Sequence, residues 1–126
     1  MNSKAFVSTL YVIGLAVSVW GATSNAQRYL ALNKGIAAYD VIVEKSKAFD
    51  ERTDKEFKDF YRTQPNGNTI IEMHNMSQDS ARFSQQMDRQ SLVATQTIVG
   101  DAAFLHGMAS LIFGLLIVGA RKTHAR

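Results

Sequence analysis

The chain has 126 residues, with 14 lysines and arginines against 11 aspartates and glutamates, and it contains no cysteine. The absence of cysteine excludes disulfides, thiolate nucleophiles and cysteine-ligated metal sites. The net charge of +3 does not indicate a nucleic-acid partner, because the charged middle of the chain is nearly balanced and the positive excess lies at the two ends. The mean hydropathy of −0.10 averages a charged middle with two uncharged apolar ends, which is the pattern of a membrane protein.

The first apolar segment, residues 5–22, reads AFVSTLYVIGLAVSVWGA. As a helix its 18 residues reach about 27 Å, close to the hydrocarbon thickness of a bilayer. Trp20 lies where an interfacial aromatic anchor is expected, and Lys4 precedes the segment. The sequence therefore predicts a first transmembrane helix over 5–22, with a cytoplasmic N-terminus over 1–4.

A cleaved signal peptide is the alternative for this segment. Ser24, Asn25 and Ala26 form a small-x-small cleavage site that would remove residues 1–26. However, signal-peptide apolar regions are shorter, at about 7–15 residues, and the candidate site lies several polar residues beyond the apolar run. Retention as a membrane span is the reading that the sequence favours.

Residues 23–100 are predicted to form an extracytoplasmic antiparallel helical hairpin with its turn at 64–68. This turn contains the only proline of the chain, in the sequence Pro65-Asn66-Gly67, which is typical turn chemistry. Apolar residues at 4-3 spacing on both arms predict a coiled-coil-like seam. The seam residues are Leu32, Ile36, Tyr39, Val43, Phe57 and Phe60 on the first arm, and Met73, Met76, Phe83 and Met87 on the second.

The predicted seam is weak, because polar residues interrupt both arms. Such a seam calls for further helices, supplied by a second copy in a four-helix bundle or by other subunits. The partner classes that the sequence indicates are therefore membrane lipid and other membrane subunits or the chain itself. A helix end is also expected near Gly35, which follows Asn33 and Lys34 in a C-cap-like pattern.

The second apolar segment predicts a transmembrane helix over 101–120, followed by a basic cytoplasmic tail over 121–126. Positive charge flanks both segments at four positions: Lys4, Arg121, Lys122 and Arg126. Under the positive-inside rule this pattern places both termini in the cytoplasm. Residues 23–100 would then be extracytoplasmic, which means periplasmic if the membrane is a bacterial inner membrane.

Both predicted spans carry small residues at helical spacing, a pattern that lets membrane helices approach closely. The predicted packing residues are Tyr11, Gly14, Ser18 and Gly21 on the first span and Ala103, His106, Gly107, Ser110 and Gly114 on the second. His106 and Asp101 are the ionisable groups near the second span. We expect His106 to contact Ser18 or Trp20 across the helix pair and Asp101 to lie at the interface, in preference to a proton-linked site.

The fold class predicted is all-α: an integral membrane protein with two transmembrane helices joined by the hairpin. This order resembles the sensory half of a chemoreceptor in topology only, and unrelated proteins share this architecture, so it implies no particular function. No catalytic, cofactor-binding or metal-ligating pattern is present in the sequence, because the three histidines are far apart and no phosphate loop or nucleophile elbow occurs. We therefore expect no enzyme activity and no cofactor.

Three functions are compatible with the sequence. The first is an accessory or scaffold subunit of a membrane complex, which packs through its small residues and docks through its hairpin. The second is a dimeric sensor or regulator whose hairpin binds a ligand and shifts the spans. The third is an oligomeric, holin-like pore former, although its polar residues are few for the lining of a pore.

Overall fold

The computed structural model describes the backbone of residues 3–122 and the side chains of residues 6–120 and 122. Two helices account for nearly all of these residues: α1 spans Ser3–Tyr61 and α2 spans Gly67–Lys122. The all-α class is therefore confirmed over the described part of the chain. Each helix contains a stretch that is long and apolar enough to cross a membrane.

The connection between the helices comprises residues 62–66, two residues earlier than the 64–68 turn that the sequence predicts. The amide of Gln64 donates to the carbonyl oxygen of Tyr61, and the amide of Gly67 donates to that of Gln64, both at 3.0 Å. Asn66 has a φ of 62°, a left-handed conformation that asparagine tolerates better than most residues. Gly67 is required at the next position, because a side chain there would overlap the carbonyl oxygen of Tyr61.

Helix α1 is continuous through Gly35, where the sequence predicts a break. The physical reason is that a single interior glycine costs a helix only about 1 kcal/mol relative to alanine. Strong helix-forming residues on both sides offset that cost. Nothing lies within 4 Å of the position that a Gly35 side chain would occupy.

The chain divides into two compact units. The terminal unit combines the chain up to Leu32 with the chain from Thr95 onward, and the central unit is Asn33–Ala94. In each unit a segment of α1 packs against a segment of α2 in antiparallel order. The most buried side chains are Ser18, 6% exposed, in the terminal unit and Ile36, 8% exposed, in the central unit.

Candidate functional site

In the terminal unit, aromatic rings of one helix lie over glycines of the other. A methyl group added at Gly14 would lie 2.7 Å from the ring of Phe113, and one added at Gly21 would overlap the ring of His106. Gly14 and Gly21 are seven residues apart, as are His106 and Phe113, so the two contacts repeat with a coiled-coil period. A methyl group added at Gly100 of α2 would likewise lie 3.2 Å from the ring of Tyr29. The close approach of these helices therefore depends on glycines of both.

His106 is fixed by a hydrogen bond within its own helix. Its Nδ1 lies 2.7 Å from the carbonyl oxygen of Ala102, and because a carbonyl can only accept, the proton belongs on Nδ1. Ser110 in turn donates to the carbonyl oxygen of His106 at 2.8 Å. The ring of His106 is thereby held against Gly21 of α1. Trp20, one of the two residues predicted from the sequence to contact His106, is 73% exposed.

The small residues that the sequence singles out behave differently on the two helices. Gly14, Ser18 and Gly21 lie half-buried or buried in the contact with α2, and Tyr11 is half-buried beside them. On α2, Ala103, Gly107, Ser110 and Gly114 are all half-buried. However, nothing lies within 4 Å of a side chain placed at Gly107 or Gly114. Rings of α2 therefore pack closely on Gly14 and Gly21 of α1, whereas no described residue of α1 packs closely on Gly107 or Gly114 of α2.

Within residues 6–22 and 102–120 of the terminal unit, the outer surface is mostly apolar on both helices. The exposed large side chains there include Phe6, Leu10, Val12, Ile13, Val17 and Val19 on α1 and Phe104, Leu105, Leu111, Ile112, Leu115 and Val118 on α2. An apolar exterior of this extent is unusual for a chain surrounded by water.

The central unit is held by polar contacts. The guanidinium of Arg89 donates two hydrogen bonds to the carboxylate of Asp40, at 2.7 and 3.1 Å. This hydrogen bond and the positive charge of Arg89 hold the pKa of Asp40 below its usual value. The hydroxyl of Tyr39 donates to the carbonyl oxygen of Gln85 at 2.9 Å. Burial raises the pKa of the Tyr39 phenol, with Asp88 and Asp40 adding to the effect, so the hydroxyl remains a donor.

A second polar cluster lies near the turn and centres on Asp54. Its Oδ2 accepts a hydrogen bond from Lys58 at 2.7 Å, while its buried Oδ1 lies 3.3 Å from Nε2 of His74. The hydrogen bond from Lys58, then the charges of Lys58 and His74, lower the pKa of Asp54. The His74 ring stacks on Phe57 with centroids 4.1 Å apart. One aromatic stack and one carboxylate thus join α1 to α2 here.

Except for Phe60, the first arm of the predicted seam faces α2, whereas the second arm does not face α1. Ile36 is buried, and Leu32, Tyr39, Val43 and Phe57 are half-buried. The exposed seam residues are Phe60 at 61%, Met73 at 67%, Met76 at 71%, Phe83 at 65% and Met87 at 50%. The face of α2 that packs on α1 in the central unit carries Ile71, His74, Gln78 and Leu92 instead.

The reason for this difference is the polar pairing of the two helices. The Asp40–Arg89 ion pair, the Tyr39–Gln85 hydrogen bond and the Phe57–His74 stack set which side of α2 turns toward α1. Sequence reasoning missed all three. The charges of Asp40 and Arg89, at similar distances on either side of the turn, were the signal that could have found the ion pair.

A groove of about 440 Å³ runs beside these contacts in the central unit. Its apolar wall includes Tyr39 and Val43, and its polar rim includes Lys47, Asp50 and Arg82. A second groove, of about 590 Å³, lies in the terminal unit and is lined by Tyr29, Leu30 and Asp101 among others. Asp101 is exposed there.

Within the described residues, no group of three or more histidines, aspartates or glutamates is arranged to hold a metal ion. Of the four charges that the sequence uses for orientation, Lys122 lies at the end of α2 and is exposed. Arg126 lies outside the described residues, as do the side chains of Lys4 and Arg121.

No protein-family model, curated protein or solved structure matches the chain.

Proposed function

We propose that the chain is a two-span membrane protein that acts as a non-enzymatic accessory or scaffold subunit. Both termini would be cytoplasmic and residues 23–100 would form an extracytoplasmic helical hairpin. The bacterial inner membrane is the setting we favour. Partners would be lipid, other membrane subunits and further copies of the chain.

The observation that carries this proposal is the contrast between the inside and the outside of the terminal unit. Its two helices are joined by small residues and a few aromatic rings, while most of the large aliphatic side chains are exposed. In water this arrangement would expose the apolar surface at a large cost in free energy. In a bilayer it is favourable, because lipid covers the aliphatic exterior and helix contact depends on close packing at small residues.

Open space at Gly107 and Gly114 supports a scaffold role. These glycines lie in the apolar half of α2, and their missing side chains are not needed for contact with α1. A further membrane helix could approach α2 closely at these positions. Replacing Gly114 by leucine would then weaken association with partners while leaving the fold of the isolated chain intact.

The absence of native cysteine makes a topology experiment direct. Single cysteines are introduced at Thr69, near the turn, and at Thr123, an uncharged residue that follows Lys122 in the sequence, so that all four orienting charges are kept. In intact cells a membrane-impermeant maleimide should label Thr69→Cys, whereas Thr123→Cys should be labelled only after the membrane is opened. Equal labelling of both sites, or release of the chain from membranes at alkaline pH, would refute the proposal.

A sensor is the second candidate, and the central groove favours it. The groove combines the apolar wall of Tyr39 and Val43 with a rim of two positive charges, Lys47 and Arg82, and one negative charge, Asp50. This chemistry suits a small amphiphilic carboxylate. Hexanoate should raise the thermal stability of the purified full-length chain, whereas hexanol, its neutral counterpart, should not. The effect should be lost in Arg82→Gln, and equal shifts with both compounds would remove the case for a sensor.

A further inference from the structure

Helix α2 of the central unit has one face packed on α1 and another face that is exposed. The exposed face, here named the outer stripe, consists of Met73, Met76, Ser80, Phe83, Met87 and Gln90. Met76 and Phe83 lie about 140° around the helix from Ile71 and Gln78, which face α1. The outer stripe therefore cannot be covered by the same segment of α1.

The spacing of the outer stripe is that of a coiled coil. Its positions alternate by three and four residues from Met73 to Gln90, which defines the a and d positions of successive heptads. A strict stripe of this kind fits the narrow seam between two helices, whereas a face that lies on a broad surface is wider. The geometry thus favours another helix as the occupant.

The polar members of the stripe are self-complementary. The amide of Gln90 and the hydroxyl of Ser80 each carry both a donor and an acceptor. In a parallel, in-register pair of identical helices, each of these residues lies opposite its own copy and can satisfy it. In an antiparallel pair with the stripes aligned end to end, Gln90 would lie opposite Met73 and Ser80 opposite Phe83, so both polar groups would face apolar side chains.

The edges of the stripe are also compatible with self-pairing. The g positions on one edge are Glu72, Asp79 and Gln86, and the e positions on the other edge are Ser77, Ser84 and Ser91. In a parallel pair the g position of one helix meets the following e position of the other. Glu72 would therefore meet Ser77 of the second copy, and Asp79 would meet Ser84, so that like charges are kept apart.

We infer that the outer stripe is the docking surface for a second copy of this chain, paired in parallel and in register. The inference rests on the proposed function, because insertion of both copies into one membrane in the same orientation makes their α2 helices parallel. Anchoring also raises the effective concentration of the two stripes. A pairing surface of only six positions, two of them polar, then suffices.

Single-cysteine crosslinking of the full-length chain in native membranes tests this inference. Cysteine is introduced at Met73, Ser80 or Gln90, and a mild oxidant is added to the isolated membranes. Ala81→Cys is the matched control, since Ala81 is exposed but one residue off the stripe. Each stripe variant should give at least about tenfold more disulfide-linked dimer than the control, because a disulfide requires Cα atoms closer than about 7 Å.

Each result bears on one part of the inference. Dimer from the double variant Met73→Cys/Gln90→Cys, with none from either single variant, would show antiparallel pairing and overturn it. A crosslinked product whose mass corresponds to a foreign chain would also overturn it, as would equal dimer from Ala81→Cys. Alkaline extraction of the same membranes separates the two proposals: a chain that stays in the membrane without crosslinking refutes only the self-pairing.

Discussion

The terminal and central units are both antiparallel pairs formed by the same two helices, yet the contacts that join the helices differ in kind. In the terminal unit the interhelix contacts are glycine against aromatic ring, and the exterior is aliphatic. In the central unit the contacts are an ion pair, a tyrosine hydrogen bond and a ring stack, and the exterior carries many charged side chains together with exposed methionines and phenylalanines. The comparison teaches that one helix pair can be specified by shape in one part and by charge in another.

The largest expected effect is at a glycine of the terminal unit. Gly21→Ala places a methyl group into the ring of His106, and overpacking of this kind costs about 1–3 kcal/mol. The free energy of unfolding in detergent, measured by denaturant titration, should fall by that amount. Gly107→Ala is the matched control, because the space there is open, and it should change stability by less than about 0.5 kcal/mol.

A rescue variant decides whether the glycine matters through this contact. His106→Ala removes the ring, so Gly21→Ala should no longer be destabilising in a chain that also carries His106→Ala. The effects of the two substitutions on the free energy of unfolding should therefore be strongly non-additive. Additive effects would show that Gly21 acts through something other than its contact with His106.

The next effect is acid sensitivity confined to the central unit. The pKa values of Asp40 and Asp54 are lowered in the folded chain. Their contribution to stability is therefore complete above the ordinary aspartate pKa of about 3.9 and is lost as the pH falls through the lowered values. Hydrogen exchange at pH 7, 5 and 3 should show residues 33–94 losing protection first.

The double variant Asp40→Asn/Asp54→Asn is the control for this titration. It should be less protected at pH 7 and should change less between pH 7 and pH 3. If the terminal unit of the natural chain lost protection at the same pH, this would contradict the view that close packing stabilises the terminal unit and polar contacts stabilise the central unit.

The smallest effect is expected from Arg89→Gln. The Asp40–Arg89 pair is about half exposed, and exposed ion pairs contribute little and are screened by salt. The melting temperature should decrease slightly at low ionic strength, and the difference from the natural chain should vanish in high salt. Arg82→Gln removes a positive charge from the same helix without touching the Asp40–Arg89 pair, so it is a suitable control for the change in net charge. A loss that persists in high salt would mean that Arg89 acts mainly by packing.

The sequence predicts the helices well because apolar runs, a single proline and the Asn66-Gly67 turn are local signals. It also points to Gly14 and Gly21, since small residues at helical spacing are recognisable without a structure. It misplaces the face of α2 in the central unit, because the Met73–Met87 stripe has better apolar periodicity than the face carrying His74 and Gln78. Choosing between those faces requires knowing that Arg89 reaches Asp40, which is a contact between distant residues.

The five-residue connection between α1 and α2 has a consequence for the order of folding. Contacts near it, such as Phe57 with His74, close short loops, whereas Tyr39 and Gln85 are 46 residues apart along the chain. Each doubling of the closed loop adds about 0.6 kcal/mol of entropic cost, so pairing should begin at the turn and proceed outward like a zipper. The Gly14–Phe113 contact would then be among the last to form in an unanchored chain, and a bilayer that aligns both helices beforehand would remove most of that delay.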